Sequence, residues 1–161
     1  MNEVSLADAA EAMASIWSPI DGGVTAPDGF EAAGVVAGLK PSRRPDLALI
    51  LAPEDAVCAG TFTTSVVRAA CVDLCAERLS HRDGRTRAVL INSGQANACT
   101  GDRGLLDSQR ATQAVADQLG LDPETVLICS TGVIGVPIPM PTLLYGLESL
   151  IAGLSDRGGA A

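Results

Sequence analysis

The chain has 161 residues and a formal net charge of −8, which is enough for one domain with a substantial core. Apolar residues make up 47% of it but aromatic residues only 2%, so we expect a core of Ala, Val, Leu and Ile and a layered α/β arrangement. Because Lys and Arg total 11 and form no basic stripe, nucleic acid is not an expected partner.

The first 21 residues are predicted to form an N-terminal helical extension to an α/β domain over residues 22–161. Apolar side chains recur at helical spacing over residues 2–17, and Ser18-Pro19 ends that pattern. A peripheral helix packed on the domain is favoured over a partner-docking or regulatory extension.

Residues 22–38 are rich in glycine and are predicted to form turns and short strands, with no phosphate-binding glycine motif. A polar loop over residues 40–45 leads to Asp46, and the apolar run 47–51 is predicted to be a strand.

Two further strands are predicted over residues 58–64 and 70–75, followed by a charged connection over residues 77–85. The connection contains His81, which has polar neighbours and is interpreted as a solvated loop residue rather than a general base. Because no second metal-ligating residue accompanies it, this single histidine also disfavours a zinc site.

A strand–loop–helix–strand unit is predicted over residues 86–129, which implies parallel pairing and a right-handed crossover. Its first strand, 86–91, leads into a small-residue loop at 92–101. Asp102 is the expected helix cap and Gly120 the stop. The predicted buried stripe of this helix comprises Leu105, Ala111, Val115 and Leu119.

The second strand, 125–129, is predicted to end in a shaped loop at Ser130, where the sequence turns to small residues, glycines and prolines. Such a Thr-Gly step can offer an amide and a hydroxyl to a developing negative charge, although on spacing alone a tight turn after a core strand is favoured over a catalytic loop. A last helix is predicted from Pro141, and residues 155–161 are expected to trail off. The apolar face of that helix comprises Leu143, Leu147, Leu150, Ile151 and Leu154.

The cysteines show neither CxxC spacing nor an even count, so they predict no disulfide framework and no zinc site. They are interpreted as small buried hydrophobes in a reducing compartment. No apolar run approaches a membrane span, and the acidic N-terminus is a poor secretion signal, which predicts the cytoplasm. The five are Cys58, Cys71, Cys75, Cys99 and Cys129.

Four polar side chains in the 92–101 loop are candidates to bind a substrate: Asn92, Ser93, Asn97 and Thr100. They could equally satisfy one another as turn and cap groups. The run does not match the GxSxG elbow, and Cys99 has no histidine nearby to activate it.

Three runs of this sequence resemble the ornithine acetyltransferases. They are GVTAPDGF at residues 23–30, NSGQANACTG at 92–101 and STGVIGVPIPM at 130–140. The resemblance extends from about Gly22 to the end of the chain, and its two long blocks are specific and in the correct order. Residues 1–21 lie outside it.

The resemblance implies an acetyltransferase of arginine biosynthesis that moves an acetyl group from N-acetylornithine to glutamate, with acetyl-CoA as a second donor in some members. The family's precursor cleaves itself before a threonine, which becomes the nucleophile of the β chain, with its own amine as base. Thr131 and Gly132 correspond to the pair that stabilises the oxyanion. No cofactor or metal is expected. The resemblance implies an α2β2 assembly and the family's layered α/β sandwich.

Two departures from the family pattern stand out. Gln95 replaces an asparagine that many members carry, and the sequence ends at Ala161, before the cleavage site and the nucleophile. The chain is therefore expected to be an incomplete α chain that is inactive alone. Two alternatives stay open: an aminopeptidase of related fold with an N-terminal threonine, and a non-catalytic domain that binds a small molecule.

Overall fold

The structure is a four-stranded mixed sheet with helices packed on one face. The computed structural model describes residues 18–54, 56–81 and 84–160, so the helix predicted over residues 2–17 lies outside the described part. The strands lie in the order β1-β2-β3-β4, with the first two pairs antiparallel and β3–β4 parallel. They are β1 (Glu31–Val35), β2 (Leu47–Leu51), β3 (Ala88–Gln95) and β4 (Val126–Val133).

The described helices are α1 (Ala70–His81), α2 (Gly101–Leu119) and α3 (Met140–Ala152). Helix α2 joins β3 to β4, so the predicted strand–helix–strand unit with parallel pairing is confirmed. Gly120 ends α2 with a left-handed φ of 66°, as predicted. Asp102 is not the cap, because Thr100 occupies that position and makes no side-chain capping bond.

The core forms between the helices and one face of the sheet. Alternate strand residues such as Leu49 and Leu90 point to this face, while Ile50 and Ile91 alternate to the opposite face and are only half-buried. Leu143, Leu147 and Leu150 of α3 are fully buried at helical spacing, as predicted.

The buried stripe of α2 differs by one position from the prediction. Leu105 is exposed, because the small residues Gly104 and Ser108 face the core and allow the helix to pack closely. Ala111 and Val115 lie in the core as expected.

Two predicted strands are wrong. Residues 58–64 form no strand, because the only described pairing nearby is an isolated bridge between Val57 and Arg85. Strand propensity without a partner strand leaves the segment irregular. Residues 70–75 and most of the predicted connection form α1, whose buried face recurs at helical spacing through Cys71, Leu74, Cys75 and Arg78.

Strands β3 and β4 each continue four residues beyond their predicted ends. Asn92–Gln95 and Ser130–Val133 therefore pair as strand rather than standing in loops. The C-terminal segment is also ordered by contacts. Ser155 bridges to Ala32, and a 3-10 turn at Gly158–Ala160 packs against β1, so the expected trailing end is wrong.

Candidate functional site

The two polar sequence blocks meet at the carboxyl end of the parallel strand pair. Thr131 stands opposite Ser93 in the register, and Gly132 stands opposite Gly94. This end of a parallel pair is where α/β sheets commonly bind ligands. The structure thus brings together the candidates Ser93, Thr131 and Gly132.

Both strands carry a glycine at this point, and each glycine lies against backbone where a side chain would not fit. Gly132 has a φ of 130°, and a Cβ there would lie 2.3 Å from the carbonyl carbon of Gly94 and 2.7 Å from the nitrogen of Gln95. Gly94 has a φ of 134°, and a Cβ on it would lie 2.9 Å from the carbonyl oxygen of Leu39. A larger residue at either position would therefore have a strained backbone. At Gly132 it would force β4 away from β3, and at Gly94 it would clash with the loop before β2.

Helix α1 covers the outer edge of β4 along its first half. Arg78 donates to the carbonyl oxygen of Val126, and the Cys75 thiol donates to the Ile128 oxygen at 3.2 Å. The Ile128 amide in turn points at the Cys75 sulfur at 3.4 Å. These contacts occupy backbone groups that an edge strand would otherwise expose.

Burial shifts the ionisation of both covering side chains. It raises the pKa of the Cys75 thiol to about 11, while the bond to Ile128 opposes the shift. Burial also lowers the pKa of Arg78, and the charge of Glu124, 3.5 Å away, opposes that change. Cys75 is therefore a protonated structural thiol at neutral pH rather than a nucleophile.

Beyond Ile128 the same edge is left open. Backbone groups of successive residues in a paired strand point alternately toward the neighbour and away from it. Val133 accepts from the Ala96 amide and so faces β3, whereas Ile128 faces outward to α1. By this alternation the backbone groups of Ser130 and Gly132 face outward, where no described strand pairs with them.

The side chains of Thr131 and Ser93 lie on the sheet face opposite the helices. The Thr131 residue is exposed and Ser93 is half-buried, and neither hydroxyl makes a hydrogen bond within the described part of the chain. Both hydroxyls are therefore available to a ligand, next to the outward-facing Gly132.

The side chains of Asn92 and Ser130 lie on the other face of the same strands. Asn92 is fully buried, and its Oδ1 accepts from the Ser130 hydroxyl at 2.6 Å. Its Nδ2 donates to the carbonyl of Gln95 at 3.2 Å. Asn92 thus ties the two strand ends together, and because it is fully buried it is not exposed to a substrate.

Asn97 and Thr100 act as turn groups, which was one of the two alternatives from the sequence. Asn97 is buried with a φ of 52°, and its Nδ2 donates to the carbonyl of Gly104 and the hydroxyl of Ser108 at 2.9 and 2.8 Å. Thr100 donates to Asn97 Oδ1 at 2.8 Å. Their polar atoms therefore fix the start of α2.

The remaining candidates from the sequence are cysteines and the single histidine. Cys99 and Cys129 are exposed, so the interpretation of all five cysteines as buried hydrophobes is wrong for these two. His81 does not lie in a loop but ends α1, and its ring binds the carbonyl of Glu77 in the same helix at 2.9 Å. Within the described ranges, no group of His, Cys, Asp and Glu side chains could hold a metal ion.

Exposed apolar side chains border the site. We call Val66, Val67, Val133, Ile134 and Val136 the apolar rim. The rim comes from two segments, residues 66–67 and residues 133–136, and both are held near Ala98. Ala69, just after the first segment, forms an isolated β-bridge with Ala98. In the second segment, the Gly135 amide donates to the Ala98 carbonyl. Val66 is 97% exposed and Ile134 65%. Clustered apolar exposure of this kind marks an interaction surface.

The sequence alone missed the contacts that shape this site. The roles of Cys75 and Arg78 depend on α1, which was mistaken for a strand. Extending the helical period from Cys71 to Arg78 would have revealed it.

None of the described helices combines the length and apolar character that crossing a bilayer requires.

Comparisons with known proteins agree on one family. A model described as the ArgJ family matches residues 31–161. The arginine biosynthesis bifunctional protein ArgJ of Parasynechococcus marenigrum is 74% identical over 150 residues, which are 93% of this chain and 37% of that protein. Its namesake from a strain of Prochlorococcus marinus is 70% identical over 92% of this chain and 35% of that protein.

Two solved structures share the fold. A crystal structure of ornithine acetyltransferase from Mycobacterium tuberculosis, complexed with ornithine, has a TM-score of 0.81 and 43% identity over 85% of this chain and 74% of that chain. One of ArgJ from Bacillus halodurans has a TM-score of 0.80 and 34% identity over 87% and 71%. The expected α/β fold of this type is confirmed.

The chain spans little more than a third of the length of the curated relatives it matches. The 150 matched residues exceed those between Gly22 and Ala161, so the similarity reaches into the first 21 residues, and the expectation that residues 1–21 lie outside the resemblance is wrong. The domain division at residue 21 stays a prediction.

Proposed function

This chain belongs to the ArgJ family and corresponds to the N-terminal part of its members, and from that premise we propose that it helps to transfer an acetyl group from N-acetylornithine to glutamate in arginine biosynthesis. One observation carries the assignment of its site: the unbonded hydroxyl of Thr131 stands beside Gly132 at the open edge of β4. Two donors at one point suit a transient negative oxygen.

The proposed chemistry uses a threonine nucleophile downstream of this chain, at the start of the β chain. Its hydroxyl attacks the acetyl carbonyl carbon, its free amine takes the proton, and ornithine leaves with a proton from that amine. The amine of glutamate then attacks the acetyl ester, the threonine amine passes a proton from it to the leaving threonine oxygen, and N-acetylglutamate and the free threonine hydroxyl are formed. Thr131 and Gly132 donate to the carbonyl oxygen in both tetrahedral states, and each donor contributes about 3–4 kcal/mol.

The partner that completes the site is, in this proposal, the β chain from the same precursor, in an α2β2 assembly. The open edge after Ile128 and the apolar rim both support such a partner. The relative lengths also support it. This chain covers 74% of the solved Mycobacterium tuberculosis chain but 37% of a curated relative, so that solved chain is much shorter than the curated protein.

Because the nucleophile is proposed to lie downstream, we expect this chain to be inactive alone. Its cysteines are free thiols, which fits the reducing cytoplasm as its compartment.

Because this chain is expected to be inactive alone, the test needs a completed enzyme. By this we mean this chain followed by the part of the Parasynechococcus marenigrum relative that lies beyond the matched region.

The completed enzyme is assayed for ornithine release from N-acetylornithine with glutamate as acceptor, and separately with acetyl-CoA as donor. We expect Thr131→Ala to lower kcat by about 100-fold or more, as for loss of one oxyanion donor. Thr131→Ser keeps the hydroxyl and is the matched control, which should retain most activity.

Full turnover by Thr131→Ala would overturn the role of Thr131. Peptide hydrolysis without transfer to glutamate would instead favour an aminopeptidase. A folded completed enzyme with neither activity would favour a binding domain.

A further inference from the structure

We propose that Asn92 and Ser130 are positioning residues, whose mutual hydrogen bond holds Thr131 and Gly132 in register with the reacting carbonyl. This inference rests on the proposed function, because it concerns the same site. Neither side chain touches the substrate in this scheme, since both lie on the helix side of the sheet while the Thr131 side chain lies on the other.

The bond between the two residues is short and shielded from water. Ser130 donates to Asn92 Oδ1 at 2.6 Å, and Asn92 is fully buried. The other end of the Asn92 amide is held by the Gln95 carbonyl. A hydrogen bond whose acceptor is buried and fixed at both ends allows little movement of the donor.

The end of β3, whose Gln95 carbonyl holds the Asn92 amide, is itself anchored to the rest of the fold. The Gln95 side chain donates to the Leu39 carbonyl at 3.0 Å. The Asp46 carboxylate accepts from the Lys40 amide at 2.9 Å, and the Asp46 carbonyl accepts from the Ser93 amide at 2.8 Å. Asn92 therefore stands in a polar network that ties the end of β3 to the turn before β2.

Ser130 needs such an anchor because β4 loses its other support there. Up to Ile128, helix α1 holds the outer edge of the strand through Cys75 and Arg78. From Ser130 onward, no described element bonds that edge. The Ser130 side chain directly precedes Thr131 in β4, and its hydrogen bond to Asn92 is the side-chain bond nearest to Thr131 along the strand.

The hydrogen bond between Ser130 and Asn92 matters because the hydroxyl of Thr131 must be positioned accurately. Catalytic donors must be held to within about 0.5 Å of their productive geometry, and a displacement of about 1 Å can cost about 100-fold in rate. Loss of the tie should therefore lower kcat more than it changes substrate binding.

The experiment compares Ser130→Val with Ser130→Thr in the completed enzyme. The introduced valine and threonine side chains have the same shape and both suit a strand, but only threonine keeps the hydroxyl. We expect Ser130→Val to lower kcat by about 10-fold or more, with KM for N-acetylornithine within about twofold of the parent. Ser130→Thr should recover most of kcat.

Thr112→Val is the control for a merely structural loss. Thr112 is a fully buried residue of α2 whose hydroxyl donates to the Ser108 carbonyl at 3.1 Å, away from the strand ends. We expect it to lower the melting temperature without lowering kcat.

Three outcomes decide the matter. Equal kcat for Ser130→Val and Ser130→Thr would overturn the positioning role, and so would an equal loss in Thr112→Val. If Thr131→Ala also keeps full turnover, the proposed oxyanion role itself fails, which separates the two hypotheses. If Ser130→Val does not fold, Ser130→Ala against the parent serine makes the same comparison, because alanine removes only the hydroxyl.

Discussion

Replacing Gly132 by alanine tests the geometry on which the site depends. Gly132 has a φ of 130°, outside the left-handed helical region, and its new Cβ would lie 2.3 Å from the Gly94 carbonyl carbon. The backbone strain alone costs about 1–3 kcal/mol, and the clash is with backbone, which cannot swing aside. We therefore expect Gly132→Ala to lower the free energy of unfolding by at least about 3 kcal/mol, a large share of a typical domain stability.

Two other glycines separate the strain from the clash. Gly135 has a φ of 78° with nothing within 4 Å of a built Cβ, so Gly135→Ala should cost about 1 kcal/mol from backbone conformation only. Gly34 has neither a positive φ nor a close neighbour, so Gly34→Ala should be neutral or slightly stabilising. Urea denaturation of the completed enzyme and its variants measures the three values. If Gly132→Ala were as stable as Gly34→Ala, the close approach of β3 and β4 would be wrong.

Two further predictions concern the helix that covers β4. The pKa of Cys75 is raised from 9.0 to about 11 in the folded state, so the unfolded chain loses its proton first and stability should fall by up to about 3 kcal/mol from pH 9 to pH 11. Cys75→Ala should lack this part of the pH dependence in urea denaturation, and an unchanged dependence would contradict the assignment. Arg78→Ala should cost about 2–4 kcal/mol, because the buried Val126 carbonyl loses its donor. Glu124→Gln should cost less than about 1 kcal/mol because Glu124 is half-exposed, and equal thermal shifts in the two variants would refute this ranking.

The sequence predicted those elements whose pattern is complete within one segment. The run 47–51 is a continuous apolar strand, and α2 carries a clear stop at Gly120. Helix α1 was missed because a six-residue window at residues 70–75 fits a period of two about as well as a period of 3.6. Only the longer span to Arg78 distinguishes them.

The strand ends could not be predicted in the same way. Small polar residues from Ser130 onward are typical of a loop, yet here they pair with the equally polar end of β3. Each block supplies the partner that makes the other a strand, and no pattern within one block shows this. The resemblance to ornithine acetyltransferases identified both blocks as belonging together, but their register is a tertiary property.

The same pairing explains why small residues are concentrated where the proposed chemistry occurs. Gly132 lets β4 approach β3 closely at Gly94, and the cover that α1 gives to the outer edge of β4 ends at Ile128. An exposed strand edge is normally protected from pairing with other chains. In β4 the protection by Cys75 and Arg78 stops two residues before Ser130. The edge that remains open is therefore the part of β4 that carries the Thr131 hydroxyl and the Gly132 amide, the two groups on which the proposed function depends.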